Sequence, residues 1–134
     1  MNIIIEKQLV CELIGYIRKL GVNGVLGEVT TPAGRIDVLT PKLIIEAKAI
    51  RSWKAGIGQL VSYGAYFPDR KLVLFTFGKI GSQSRTSRTH DFGRKVTRDK
   101  TKRRIIKDTC LQHGIVQFHH TGDFDDFREF LIKN

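Results

Sequence analysis

A chain of 134 residues, 41% of them hydrophobic, is long enough to close one core without disulfides or a structural metal, so a single domain over 1–134 is expected. No apolar run approaches bilayer length, Met1-Asn2-Ile3-Ile4-Ile5-Glu6 is no signal peptide, and two cysteines (Cys11, Cys110) make no disulfide scaffold, so a membrane protein and a secreted mini-protein are set aside for a protein of a reducing intracellular compartment, cytoplasm or nucleoid. The formal charge of +10, from 23 Lys and Arg against 13 Asp and Glu, points to a polyanion partner, with DNA first.

In chain order, residues 3–20 read as an amphipathic helix, with Leu9, Val10, Leu13, Ile14, Ile17 and Leu20 at helical spacing and Gly21 as its C-cap. A strand follows at 25–31, then the turn Thr31-Pro32-Ala33-Gly34, which suits type I. Strands at 35–40 and 43–49 form a hairpin. Residues 53–67 read as a helix stopped by Pro68, and 71–77 as a strand apolar on both faces. Gly78 to His90 has little apolar content and reads as a long surface loop. A helix over 98–113 ends at Gly114, a last strand covers 115–119, and Asp123 caps a short final helix with Phe124, Phe127, Phe130 and Leu131 inward. The order α-β-β-β-α-β-α-β-α describes a mixed sheet flanked by helices.

The chemistry concentrates in the hairpin. With Pro41-Lys42 as a two-residue tip, Asp37 stands directly opposite Glu46, where Cβ atoms lie roughly 4.5–5.5 Å apart. Lys48, two residues beyond Glu46, shares its face. Two crowded carboxylates repel, so the patch calls for a divalent cation with a taste for hard oxygen ligands. Charges on a strand flanked by Ile44, Ile45 and Ala47 are costly unless paired or metal-bound.

Gln59 and Tyr63, four apart on the next helix, share a face that packs back toward that sheet. Glu6 lies on the first helix. Glu28 faces Asp37 if Pro32-Ala33 is a two-residue tip and slips by one if the loop has three residues and a bulge; the register is open at this level. His119 and His120 are adjacent on a strand and point to opposite faces, so they do not converge on one metal. No Ser/His/Asp set with a recognisable local context and no glycine-rich phosphate loop is present.

The charge is segregated. Ten Lys and Arg (Lys79, Arg85, Arg88, Arg94, Lys95, Arg98, Lys100, Lys102, Arg103 and Arg104) stand against Asp91 and Asp99 between 79 and 104, about +8 of the +10. This segment is expected to contact nucleic-acid phosphates.

Asp37 followed by Glu46-Ala47-Lys48 resembles the signature of the PD-(D/E)xK nuclease superfamily. Gln59-x-x-x-Tyr63 is similar to the helix motif of its RecB-like branch, and Glu6 before Leu9-Val10 and Leu13 to the first-helix glutamate of archaeal Holliday junction resolvases. The resemblance covers roughly residues 6–77, with the later helix-strand pair ending at Ile115–Phe118 fitting the same core. It departs at Ile36, where proline is common, and in the 79–104 insertion, which is not part of the common core.

The resemblance implies a restriction-endonuclease-like α/β fold, an α-β-β-β-α-β core with a basic insertion. It also implies a Mg²⁺-dependent DNA endonuclease, with Mn²⁺ substituting, that leaves 5′-phosphate ends. Asp37, Glu46 and the Ala47 carbonyl would hold the metal, with Glu6 or Glu28 acting through water. Lys48 would orient the attacking water, Gln59 would position Lys48 or the nucleophile, and Tyr63 would contact a phosphate. A structure-selective or site-specific enzyme acting as a homodimer or higher homo-oligomer is expected, with no small-molecule cofactor. A Holliday junction resolvase, and a non-catalytic nucleic-acid-binding protein on the same fold, are the alternatives.

Overall fold

The structure, a computed structural model, describes residues 2–79 and 92–134, and the side chains of 5–79 and 100–134. The elements run α1 (Asn2–Lys19), β1 (Leu26–Thr31), β2 (Gly34–Leu39), β3 (Leu43–Ala49), α2 (Trp53–Tyr66), β4 (Lys71–Phe77), α3 (Phe92–Gln112), β5 (Ile115–His119) and α4 (Asp125–Lys133), with a single 3₁₀ turn at Ile50–Ser52 leading into α2. This is the α-β-β-β-α-β-α-β-α order, built on one five-stranded sheet in the order β1-β2-β3-β4-β5. Its first three strands meander antiparallel, and β3, β4 and β5 are mutually parallel, so the sheet is mixed.

The two parallel crossovers, through α2 and α3, step across the sheet in the same direction. Right-handed connections that do so lay their helices on one face. Here α2 and α3 cover one side, with Ile57, Leu60, Ile106 and Cys110 packed on Ile44, Leu74 and Ile115. The other side is left for α1 and α4, whose Leu9, Leu13, Ile17, Phe127 and Leu131 pack on Ile45, Val73 and Phe75. Buried between two layers, β3 is apolar on both faces from Leu43 to Ile45, and this makes the charged Glu46 that follows so conspicuous.

Both hairpin tips have two residues. Thr40 N–H donates to the Leu43 carbonyl at 2.9 Å, and the Thr40 hydroxyl accepts from the Lys42 and Leu43 N–H groups, closing the Pro41-Lys42 tip. Thr31 pairs with Gly34, so Pro32-Ala33 is the other tip, held by Thr31 Oγ1 accepting from Ala33 N–H. The helix caps fall where glycine is required: Gly21 (φ 90°) and Gly114 (φ 70°) end α1 and α3 in the left-handed region. Asp123 Oδ1 accepts from Asp125 N–H at 3.1 Å, but the N-cap of α4 is Phe124, one residue later than expected, and it makes no side-chain cap bond.

A second boundary differs from expectation. α3 begins at Phe92, six residues before 98, so the second half of the basic 79–104 segment is part of a core helix. Lys and Arg are strong helix formers, and after Gly93 no glycine or proline interrupts the run until Gly114. Among the described residues no helix is long and apolar enough to cross a membrane.

Candidate active site

The site forms where β2 and β3 part. The ladder between them holds Val38 against Ile45 and Leu39 against Ile44, and stops there. The next position in that register is Asp37 opposite Glu46, and at this point a side chain takes over from the backbone: Asp37 Oδ2 accepts the Ala47 N–H at 2.9 Å. The carboxylate is thus wedged into the opening fork of the sheet, beside the carboxyl group of Glu46.

Glu46 is only 2% exposed, and its Oε1 is buried without a hydrogen-bond partner. Lys48 Nζ stands 3.9 Å from Glu46 Oε2. Burial first, and then the charge of Asp37, pushes the Glu46 carboxyl up to about 9. Asp37 is also raised, mainly by burial, against the stabilising Ala47 N–H. Burial and the charge of Asp37 both disfavour ionised Glu46, so the pair keeps a proton that an exposed carboxylate would lose. Such a pair holds that proton until something else supplies positive charge.

Whether the residues suit a divalent cation turns on that orphaned, desolvated Glu46 oxygen beside Asp37. Two carboxylates and the Ala47 carbonyl fit Mg²⁺, which keeps several waters and takes few protein ligands. The third acid expected near the metal is less tightly placed. Burial raises Glu6 on α1, and next the charge of Asp37, so Glu6 faces the pair. The two-residue tip puts Glu28 opposite Asp37, yet Glu28 itself is exposed and takes a left-handed φ of 52°, the only non-glycine to do so among the described residues. Among those residues, no group of three or more His, Cys, Asp and Glu gathers closely enough to hold a metal directly.

α2 supplies the roof. Gln59, three residues after Gly56 on that helix, has its Oε1 buried and without a hydrogen-bond partner among the described residues. Tyr63 is elsewhere engaged: its hydroxyl donates to the Arg35 carbonyl at 3.0 Å, it is 1% exposed, and burial followed by the charge of Glu46 pushes it up to about 12. The phenol buttresses the start of β2, two residues before Asp37, instead of reaching out to a phosphate.

The sequence reading missed Gly56. A Cβ there would stand 2.6 Å from Leu74 Cδ1 and 3.1 Å from Lys48 Cγ, so only glycine lets α2 lie directly on the lysine stem. It also missed a polar row across the sheet: Lys48, Thr76 and His119 sit side by side on β3, β4 and β5. The fully buried Thr76 hydroxyl accepts from Gln117 Nε2 at 2.8 Å and meets His119 Nδ1 at 2.9 Å. His120 points the other way and stacks on Phe124 at 5.2 Å, so the two histidines occupy opposite faces as expected.

Of the basic residues, Lys79 and, on α3, Lys100, Lys102, Arg103 and Arg104 are exposed. Arg94, Lys95 and Arg98 lie on the α3 backbone with side chains outside the described residues, and Arg85 and Arg88 are outside altogether.

No family model matches the chain, and no solved structure does. Among curated proteins it is similar to three from Acanthamoeba polyphaga mimivirus. The putative KilA-N domain-containing protein L33 is 48% identical over 58 residues, 43% of this chain and 24% of the relative. The putative KilA-N domain-containing protein R878 is 42% identical over 50 residues, 37% of this chain and 14% of the relative. A third, L32, is 36% identical over 50 residues and 13% of its length. The matches thus span less than a quarter of the curated relatives, and the likeness is to a segment of much longer chains.

Proposed function

We propose that this chain is a divalent-metal-dependent nuclease acting on DNA, of the PD-(D/E)xK kind. The observation that carries the proposal is the fork between β2 and β3, where Asp37 and a buried Glu46 with an orphaned oxygen meet beside Lys48. A buried carboxyl set beside a second one, where burial opposes ionisation, supports a cation site there.

Asp37, Glu46 and the Ala47 carbonyl would hold Mg²⁺ or Mn²⁺. Bound there, the metal would polarise the scissile phosphate and make a nucleophile of water at neutral pH. The chain's own groups do the rest. Lys48, its stem trapped between Gly56 and the sheet, presents a fixed ammonium to the charge that builds on the phosphate. Gln59 offers an unpartnered acceptor to orient a proton-bearing group, water or the ammonium itself. Tyr63 holds the β2 backbone from which Asp37 projects.

The formal charge of +10 and the exposed cations of α3 support a polynucleotide substrate. So does the likeness to chains named for KilA-N, a DNA-binding domain. Cleavage to 5′-phosphate ends by a structure-selective or site-specific homodimer is the finer form of the proposal, with a Holliday junction resolvase as its variant. The second reading, a nucleic-acid-binding protein that does not cut, draws on the absence of a third acid at direct ligand distance among the described residues.

Cleavage of linear, supercoiled, flapped and four-way DNA with Mg²⁺ or Mn²⁺ separates the two. Wild type should cut at least one substrate, and Lys48→Ala should cut at least 10²-fold more slowly, on the order seen when one charge-stabilising donor is removed, with DNA binding retained. Binding without cleavage of any substrate would leave the silent reading standing.

A further inference from the structure

A groove of about 550 Å³ runs from the catalytic fork over the outer surface of α1 and the β1–β2 hairpin, away from the basic α3. Its helix wall is one stripe of α1: Lys7, Val10, Cys11, Ile14 and Arg18, with Glu6 at the mouth. The opposite wall is Gly27 and Glu28 on β1 and Arg35 and Asp37 on β2. The floor depends on Gly27, where a Cβ would stand 2.7 Å from Ile14 Cδ1.

We infer that this groove is a track for one polynucleotide strand, whose phosphates it delivers to the fork. Three cations line it. Arg18 donates one guanidinium N–H to the Val25 carbonyl at 3.1 Å and makes no other side-chain hydrogen bond among the described residues. Lys7 and Arg35 are exposed, and neither side chain has a hydrogen bond or ion pair among the described residues. Lys7 and Arg18 are eleven residues apart, about 16 Å along one helix face. One charge per roughly 3.4 Å of a strand places several phosphates in that span.

Arg35 and Asp37 both line the groove two residues apart on β2, so the cation leads to the acid pair. Glu6, Glu28 and Asp37 stand together at the fork with Lys7 and Arg35 beside them, and Arg18 lies farther along the groove, so cations flank the acids and hold the incoming backbone. Its lining has no aromatic residue on which bases could stack, and binding there follows the backbone without regard to sequence.

This rests on the nuclease reading for which end of the groove does the cutting, and the test keeps the two apart. Cys11 is exposed on the groove wall, whereas Cys110 is fully buried. Alkylation of Cys11 in the metal-free chain of 134 residues is therefore a direct footprint. A 20-nucleotide single strand should slow it at least fivefold, in wild type and in Lys48→Ala alike. In the double variant Lys7→Ala, Arg35→Ala, affinity should fall and the slope of log K against log salt should flatten by about 1.4, at about 0.7 per lost phosphate contact. Lys133→Ala, an exposed lysine paired with Glu129 far from the groove, should match wild type. An unchanged Cys11 rate together with an unchanged salt slope overturns the track even if the protein cuts DNA. Protection of Cys11 in a protein that never cuts upholds the track and removes the nuclease.

Discussion

Glu46→Gln should make the metal-free protein more stable at pH 8. In the folded chain burial, followed by the neighbouring Asp37 charge, pushes the Glu46 carboxyl up to about 9, from the ordinary value of 4.5. The folded state therefore binds a proton that the unfolded chain has released, and stability falls as pH rises between those two values. Each unit of that gap corresponds to about 1.4 kcal/mol, so at pH 8 the burden approaches about 5 kcal/mol before relaxation and water entry reduce it. Glutamine keeps the shape without the ionisation and escapes the burden. For a chain of this size about 3–5 °C in Tm accompanies each kcal/mol, so the pH 8 gain should be on the order of 10 °C.

Thermal unfolding of both proteins in EDTA at pH 5 and pH 8 measures it. Wild type should lose Tm between the two, and the variant should lose distinctly less. Asp37 and Glu6 are raised too and tilt both curves in the same direction, so the difference between the curves reports Glu46 together with its coupling to Asp37. Adding Mg²⁺ at pH 8 should restore wild type by ligand linkage and help the variant little. Parallel curves for the two proteins in EDTA would refute the reasoning, because Glu46 would then ionise as an ordinary carboxylate.

Gly56→Ala should destabilise by about 1–2 kcal/mol, because overpacking against Leu74 and Lys48 exceeds the gain of about 1 kcal/mol in helix propensity. Gly58→Ala, two residues on with nothing within 4 Å, should stabilise by about 0.5–1 kcal/mol, and urea titration of the pair reads both signs. Tyr63→Phe leaves the Arg35 carbonyl without its donor and should cost about 1–2 kcal/mol, with DNA affinity unchanged in the proposed nuclease, since the phenol bonds to backbone. Glu28→Gly should gain about 0.5–1 kcal/mol by releasing a left-handed φ. If that gain comes with slower cleavage, the strained glutamate serves the site.

The fold was legible because its punctuation is local. Gly21, Pro68 and Gly114 stop helices for reasons that hold in any context, and the two-faced apolar runs of β3 and β4 could belong only to the middle of a sheet. The start of α3 was not legible in the same way. A lysine- and arginine-rich run satisfies both helix propensity and a solvated loop, and the choice was made by Ile106 and Cys110, which anchor the helix to β5 from its far end.

The site was legible as far as register reaches. Counting across the two-residue Pro41-Lys42 tip places Asp37 opposite Glu46, the position after Val38 and Ile45. Counting cannot foresee that the ladder ends there, since the break arises from the carboxylate itself competing for the Ala47 N–H. The same limit hides Gly56: a glycine in a helix reads as a weakness until the strand beneath shows a lysine stem in the space a methyl would need. Both features are contacts between elements far apart in sequence, and both bear on one distance, that between the Lys48 ammonium and Glu46. The motif names the groups, whereas the fork and the helix that lies on it fix how far apart they stand. A change that leaves the motif intact but alters either support should therefore lower the cleavage rate more than it lowers DNA affinity.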